Sequence, residues 1–258
     1  MIWKSTITLL AIFSLAACND SVSEKKQVKK NEVLVLGLIH SGHLKYEEFG
    51  IDVLTELIRK IDPDVILTEI PPDRFPTAMD EFLKNDTITE PRVKRFPEYV
   101  DVVFPLTKEM DFEIVPTAGW TKEMADKRSQ QMKAIREDST RKEDWARFVA
   151  AGNEVDSLMK LTGKEHDPYF INTDEYDRIS EIELSVYNEL FNEELGPGGW
   201  DNINEAHYGH IADALEQYKF QGKRILITYG AGHKGWFMRQ LRKRDDIELK
   251  TLEELVSR

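Results

Sequence analysis

The chain alternates two kinds of hydrophobic pattern. Short, nearly continuous apolar runs are separated by longer stretches whose apolar residues recur every three or four positions. Val33-Leu34-Val35-Leu36, ending in Gly37, reads as a strand buried on both faces, as a parallel sheet requires. Over 46–61, Phe49, Val53, Leu54, Leu57, Ile58 and Ile61 fall at helical spacing, and Asp62-Pro63 stops that helix. Val65-Ile66-Leu67-Thr68 is a second buried strand. Together these segments make a βαβ unit, the crossover that parallel strands demand. The same reading predicts a helix over 96–110, a strand over 112–116 and long charged helices over 120–161 and 173–194. Gly196-Pro197-Gly198-Gly199 is a break. A helix over 201–220 follows, with Asp or Asn available to cap it. Then come a strand over 223–229, a helix over 236–244 and a short strand over 247–249.

This order predicts an α/β fold. A single domain, 32–258, has a central, mostly parallel (mixed) sheet flanked by helices. A helical insertion at about 120–200 lies between the third and fourth strands, and the first and last strands pair across it.

The N-terminus reads differently. Lys4 precedes a mainly apolar run that ends Leu15-Ala16-Ala17-Cys18. Small residues before a cleavage point mark a secretory signal. A cysteine directly after them, with Leu three places upstream, resembles the lipobox of bacterial lipoproteins. A membrane span needs roughly 20 apolar residues, and this run is shorter and interrupted by Ser5, Thr6, Thr8 and Ser14. The expectation is a signal peptide over 1–17, lipid on Cys18, and a flexible tether over 18–31 (CNDSVSEKKQVKKN). The domain would then stand outside the cytoplasm in the cell envelope, with the membrane as partner through that lipid. Cys18 is the only cysteine, so no intramolecular disulfide is available and the core must stabilise the domain alone.

Charge narrows the partners. The chain carries 35 basic and 47 acidic residues, a net charge of -12, and loss of Lys4 makes it one unit more negative. Such a surface repels nucleic acid and anionic headgroups. Nucleic-acid binding is excluded, and membrane attachment falls to the lipid.

Candidate chemistry sits where strands end. The first strand runs into Gly37-Leu38-Ile39-His40, then Ser41-Gly42-His43. The second runs into Glu69-Ile70-Pro71-Pro72, and the fourth, after Tyr229, into Gly230-Ala231-Gly232-His233. In an open parallel sheet the carboxyl ends share one edge, where ligands bind. His40, Glu69 and His233 therefore belong on one rim. Two imidazoles and a carboxylate suit a divalent transition metal with open positions, and equally general acid–base work. Gly37 and Gly230 let the backbone turn sharply and a ligand approach. His207 and His210 share a helix face, read as a partly exposed one, with a metal or haem role as the alternative. His166 reads as a solvated loop residue. No GxSxG elbow or phosphate-cradling GxxxxGK[ST] loop is present.

The segments GLIHSGH, DVILTEIPP and ILITYGAGHKGW resemble the Tiki/TraB superfamily, which also holds erythromycin-esterase and ChaN-like haem-uptake proteins. The resemblance rests on two GxxH motifs, Gly37 with His40 and Gly230 with His233, and on Glu69 after the second strand. It implies a metal-dependent hydrolase of peptide or ester bonds, with His40, Glu69 and His233 as catalytic and metal-holding residues. The metal would be manganese, cobalt, zinc or iron, and His43 and Asn204 would orient ligands or substrate. The alternative it implies is a haem- or metal-binding uptake lipoprotein without turnover, with Tyr229, Trp236 and Phe237 lining an apolar slot beside His233. One departure stands out. Ile203 occupies the position where relatives carry an arginine, whereas the neighbouring Asn204 is retained.

Overall fold

A computed structural model of the chain describes residues 29–257. The expected signal peptide, the expected lipid on Cys18 and the expected tether as far as residue 28 lie outside the described residues. Lys29 bridges Gln221, so the last residues expected in the tether belong to the folded domain.

Strand β1 (Asn31–Leu38) opens the domain and helix α1 (Ile51–Ile61) follows it, after two short 3-10 turns. Then come β2 (Val65–Thr68), α2 (Phe75–Asn85), a π-helical turn (Glu98–Val103), a short α3 (Phe104–Leu106) and β3 (Glu113–Pro116). The insertion comprises α4 (Lys122–Glu137), α5 (Lys142–Thr162), the short α6 (Pro168–Ile171) and α7 (Asp174–Leu195). The chain closes with α8 (Trp200–Gln217), β4 (Arg224–Gly230), α9 (Ala231–Leu241), β5 (Ile247–Leu249) and α10 (Leu252–Val256).

The five strands form one sheet in the order β3-β2-β4-β1-β5, and every pairing is parallel. No strand is antiparallel, so the mixed element expected from the sequence is absent among the described residues. Alternation along each strand divides the core in two. Leu34, Leu36, Leu38, Ile66 and Leu226 face α1, α2, the π turn and α10. Val33, Val35, Leu67, Ile225, Ile227 and Tyr229 face α8 and α9. The insertion has its own cluster of Ile135, Tyr187, Phe191 and Leu195.

Strand β4 must thread between β1 and β2 after a long excursion, and polar anchors hold it there. At one end the Asp64 carboxylate accepts from the Arg224 and Lys223 groups, while the Arg224 guanidinium donates to the Ile61 carbonyl. At the other end the buried Tyr99 hydroxyl donates to the Thr228 carbonyl (2.8 Å) and accepts from the Glu69 N–H (2.7 Å). Tyr99 thereby sets the spacing of the two strand ends that carry Glu69 and Gly230.

Several elements differ from the expected ones for identifiable reasons. The helix expected over 96–110 is a π turn and one α turn. Pro105 has no N–H to give the Asp101 carbonyl, and the Phe104 N–H reaches back five residues to Tyr99 instead. The single helix expected over 120–161 is broken at Asp138, which takes an extended conformation and caps Thr140 with its side chain. No Asp or Asn stands at the N-cap of helix α8; instead the Asn188 and Asn192 side chains of α7 accept from the Asp201 N–H in its first turn. Gly199 stands at its N-cap, where a Cβ would lie 2.3 Å from the Asn192 carbonyl oxygen. Helix α9 starts directly on β4, so His233 lies in its first turn rather than in a loop. Helix α2 was not foreseen.

Tyr99→Phe leaves a buried N–H at Glu69 and a buried carbonyl at Thr228 with one partner fewer. Each such loss costs about 1–3 kcal/mol, so the urea unfolding midpoint of this variant should fall without a change in slope.

Candidate metal centre

The carboxyl ends of β1, β2, β3 and β4 share one edge of the sheet, and His40, Glu69 and His233 all project from it. Each is fixed by a specific local device. His40 adopts a left-handed backbone conformation (φ 50°) directly after β1, a strained state for a non-glycine residue. Its ring lies over Gly230, where any Cβ would come within 2.5 Å of His40 Nε2. Gly37 is equally constrained, since a Cβ there would meet the Ala231 Cα at 3.0 Å; its N–H donates to Asn172.

Glu69 is buried at the end of β2. Its Oε2 accepts from the Gly230 N–H (3.0 Å) and stands 3.8 Å from His40 Nε2. Burial raises its pKa, against the opposing pull of His40 and the Gly230 N–H. His40 Nδ1 donates to Glu98 Oε1 at 2.5 Å. Glu98 comes from the π turn and is fully buried, and its second oxygen has no partner. Burial alone would lower the His40 pKa, but the Glu98 hydrogen bond and the charges of Glu98 and Glu69 outweigh it and raise it.

His233 is clamped between two rings, stacked on Trp200 at 4.8 Å and on Phe237 at 5.9 Å between centroids. Its Nδ1 donates to Asn204 Oδ1 (2.7 Å), and the Asn204 amide nitrogen donates to the Trp200 carbonyl, which fixes the amide's orientation. Burial pushes the His233 pKa down to about 3. The ring is therefore neutral, and its Nε2 lone pair is free.

His207 joins these residues at the rim. It is fully buried, not on a partly exposed face, whereas His210 on the same helix is exposed. Ligand atoms of Glu69, His207 and His233 lie within 4.8 Å of one another. Proximity alone does not make His207 a ligand, because its tautomer opposes that role. The Gly119 N–H donates to His207 Nδ1 at 2.7 Å, so the neutral ring carries its proton on Nε2. A ligating Nε2 would place the proton on Nδ1, facing another N–H. Burial holds the His207 pKa well below normal, so the ring does not carry both protons. The Nε2–H is buried without a partner. His40 and His233 show the reverse arrangement. Each gives its Nδ1 proton to a side-chain oxygen and turns Nε2 toward the rim, the usual disposition of metal-binding histidines. His40, Glu69 and His233 offer donors of the kind a divalent cation takes, but the group whose ligand atoms all lie within 4.8 Å is Glu69, His207 and His233; His40 Nε2 stands 3.8 Å from Glu69 Oε2 and lies outside that group, while the His207 Nε2–H is a hydrogen-bond donor within it.

The remaining predicted residues separate from this group. His43 has both ring nitrogens committed to backbone, Nδ1 to the Phe49 carbonyl and Nε2 to the Ile39 N–H, and so braces the turn that carries His40. Tyr229 hydrogen-bonds Thr117 and packs with Trp236 and Phe237 in the core. These three rings, expected to line a haem slot, contact one another and α8 instead of facing open space. Ile203 is buried and apolar. His166 stacks on Tyr46 rather than standing free in solvent.

A cleft of about 490 Å³ opens onto His40 and Glu69, walled by Phe96, Trp120, Arg92, Arg95 and Arg128 among others. Sequence reading missed Glu98, the buried role of His207 and these arginines. A signal existed for two of them. Glu98 interrupts an apolar stretch, and His207 lies on the helical stripe of Ile203, Asn204, Ile211, Ala214 and Leu215. No protein family, curated protein or solved structure matches the chain in comparison.

In a ¹⁵N-histidine-labelled, metal-free sample, His207 should show the Nε2–H tautomer and His233 the Nδ1–H tautomer. His233 should stay neutral well below pH 6.5, where an ordinary histidine becomes charged. An Nδ1–H signal for His207 would make it a ligand instead.

Proposed function

We propose that the protein is a metal-dependent hydrolase of the Tiki/TraB type, held at a membrane surface in the cell envelope by lipid on Cys18. The observation that carries this reading is the pairing of two buried or half-buried histidines, each oriented through Nδ1, with the buried Glu69 carboxylate. The substrate class is a peptide or an ester. His40, Glu69 and His233 hold the cation, and a donor set of two imidazoles and a carboxylate accepts manganese, cobalt, zinc or iron. A divalent cation bound there supplies Lewis acidity toward a carbonyl and lowers the pKa of water.

The chain's own residues do the rest. Glu98 fixes the His40 ring, and Asn204 fixes His233 between Trp200 and Phe237. The Nε2–H of His207 waits for an oxygen acceptor, the role expected of a donor that stabilises developing negative charge. Trp120 and Phe96 flank the cleft. The uptake alternative, binding haem without turnover, lacks a specific observation in its favour, because the rings around His233 are already packed.

Elemental analysis of the detergent-solubilised full chain tests the assignment. The parent should hold close to one equivalent of divalent metal, and His40→Ala, Glu69→Gln and His233→Ala should lose it. His207→Gln should keep the metal while losing turnover. Loss of an oriented donor typically costs on the order of 100-fold in kcat. Asn204→Ala should weaken metal affinity by roughly 10–100-fold. Absence of metal in the reconstituted parent would sink the reading.

The anchor is tested separately. The parent should partition into the detergent phase of a cloud-point separation, and Cys18→Ser should move to the aqueous phase. Equal partition of the two would remove the lipid from the proposal.

A further inference from the structure

The cleft wall carries three guanidinium groups in a protein whose net charge is -12. Arg92 and Arg95 lie on the segment between α2 and the π turn, and Arg128 lies on α4 of the insertion. Among the described residues none of the three forms an ion pair, although acidic residues outnumber basic ones. Arg92 donates through Nη2 to the Trp120 carbonyl (3.1 Å), while its Nη1 is buried with no partner. Arg128 donates through Nε to the Tyr187 hydroxyl (3.0 Å) and lies over the Tyr187 ring, which fixes the guanidinium. Arg95 lies over the Phe96 ring.

The carboxylates nearby do not neutralise them. Asp126, on the same wall, pairs with Lys122. Glu69 is engaged with Gly230 and faces His40. Asp73 and Glu90 act on Arg92 only at longer range. An unpaired, partly buried guanidinium is unfavourable unless an anion joins it. Planar forks of N–H donors match carboxylate and phosphate oxygens, often two at a time.

We infer that Arg92, Arg95 and Arg128 form a seat for an anionic group, a carboxylate or a phosphate, on the molecule that enters the cleft beside His40 and Glu69. The seat deepens the hydrolase reading and rests on it only in calling that molecule a substrate. It places the anionic end on the arginine wall and leaves the remainder of the molecule to reach the histidine rim. Helix α4 thus contributes a binding group, which gives the insertion a direct part in recognition.

Calorimetric titration of the chelator-treated full chain in detergent, at low ionic strength, tests the seat with inorganic phosphate and with succinate. At least one of the two should bind, and the stronger identifies the group. Arg95→Gln and Arg128→Gln should each weaken binding on the order of tenfold, the loss expected for a hydrogen bond to a charged group. Arg128→Lys should recover part of it. Arg95 is exposed and makes no hydrogen bond, so its replacement leaves the fold intact, and thermal melts verify this for both variants. Binding of neither anion, or binding by both glutamine variants equal to the parent's, would overturn the seat. Metal content, measured on the same proteins after reconstitution without chelator, should be unchanged in Arg95→Gln. Anion binding by the chelator-treated parent with no metal taken up on reconstitution would remove the metal reading and keep the seat, and metal uptake without anion binding would do the reverse.

Discussion

A carboxylate buried at the end of a strand imposes terms on everything around it. Glu69 is buried, and among the described residues the one hydrogen bond to its carboxylate comes from the Gly230 N–H. An uncompensated buried charge is too costly to persist, so the surroundings must supply positive charge or keep the group protonated. The sheet order answers to this. Threading β4 between β1 and β2 brings Gly230 to the carboxylate from the adjacent strand and His40 from the strand beyond it, and Tyr99 ties the ends of β2 and β4 together. The absence of a side chain at Gly230 is part of the same arrangement, because the His40 ring occupies that space.

The histidines around Glu69 are neutral or charged according to their partners. His233 and His207 have lost their basicity to burial, whereas His40 has gained it from Glu98. Direction matters as much as charge. Asn204 and Glu98 accept hydrogen bonds from Nδ1–H, so each of those rings, when neutral, carries its lone pair on Nε2, while the Gly119 N–H forces the opposite tautomer on His207. Three chemically identical side chains thus present two acceptors and one donor to the same small space. Gly119 can play its part only because it has no Cβ, which would stand 2.6 Å from the Ala206 Cβ.

Much of this was legible before any coordinates. The apolar runs at β1, β2 and β4 are unbroken, so their burial on both faces and their parallel pairing followed from pattern alone. With parallel strands, the residues after each strand fall on one edge, and His40, Glu69 and His233 follow at once. The π turn was not legible, because its apolar residues satisfy a helical period and only the placement of Pro105 changes the hydrogen-bond register. Nor was the break at Asp138, a single capping residue within a long charged stretch. His207 and His210 share a helix face by spacing, yet His207 is buried and His210 exposed, because the stripe of Ile203, Ile211 and Leu215 draws His207 alone into the core.

The sequence by itself determined the class of fold, the rim and three of its residues, because strand polarity and hydrophobic period are local properties that survive without knowledge of partners. Only the tertiary structure decided which nitrogen of each histidine faces the rim, that Glu98 stands behind His40, and that arginines from two distant segments line one cleft. Those outcomes depend on contacts between residues far apart in the chain, such as Gly119 with His207 and His40 with Glu98. No periodicity or spacing encodes a hydrogen bond across such a distance; it exists only once the sheet has brought its strand ends together.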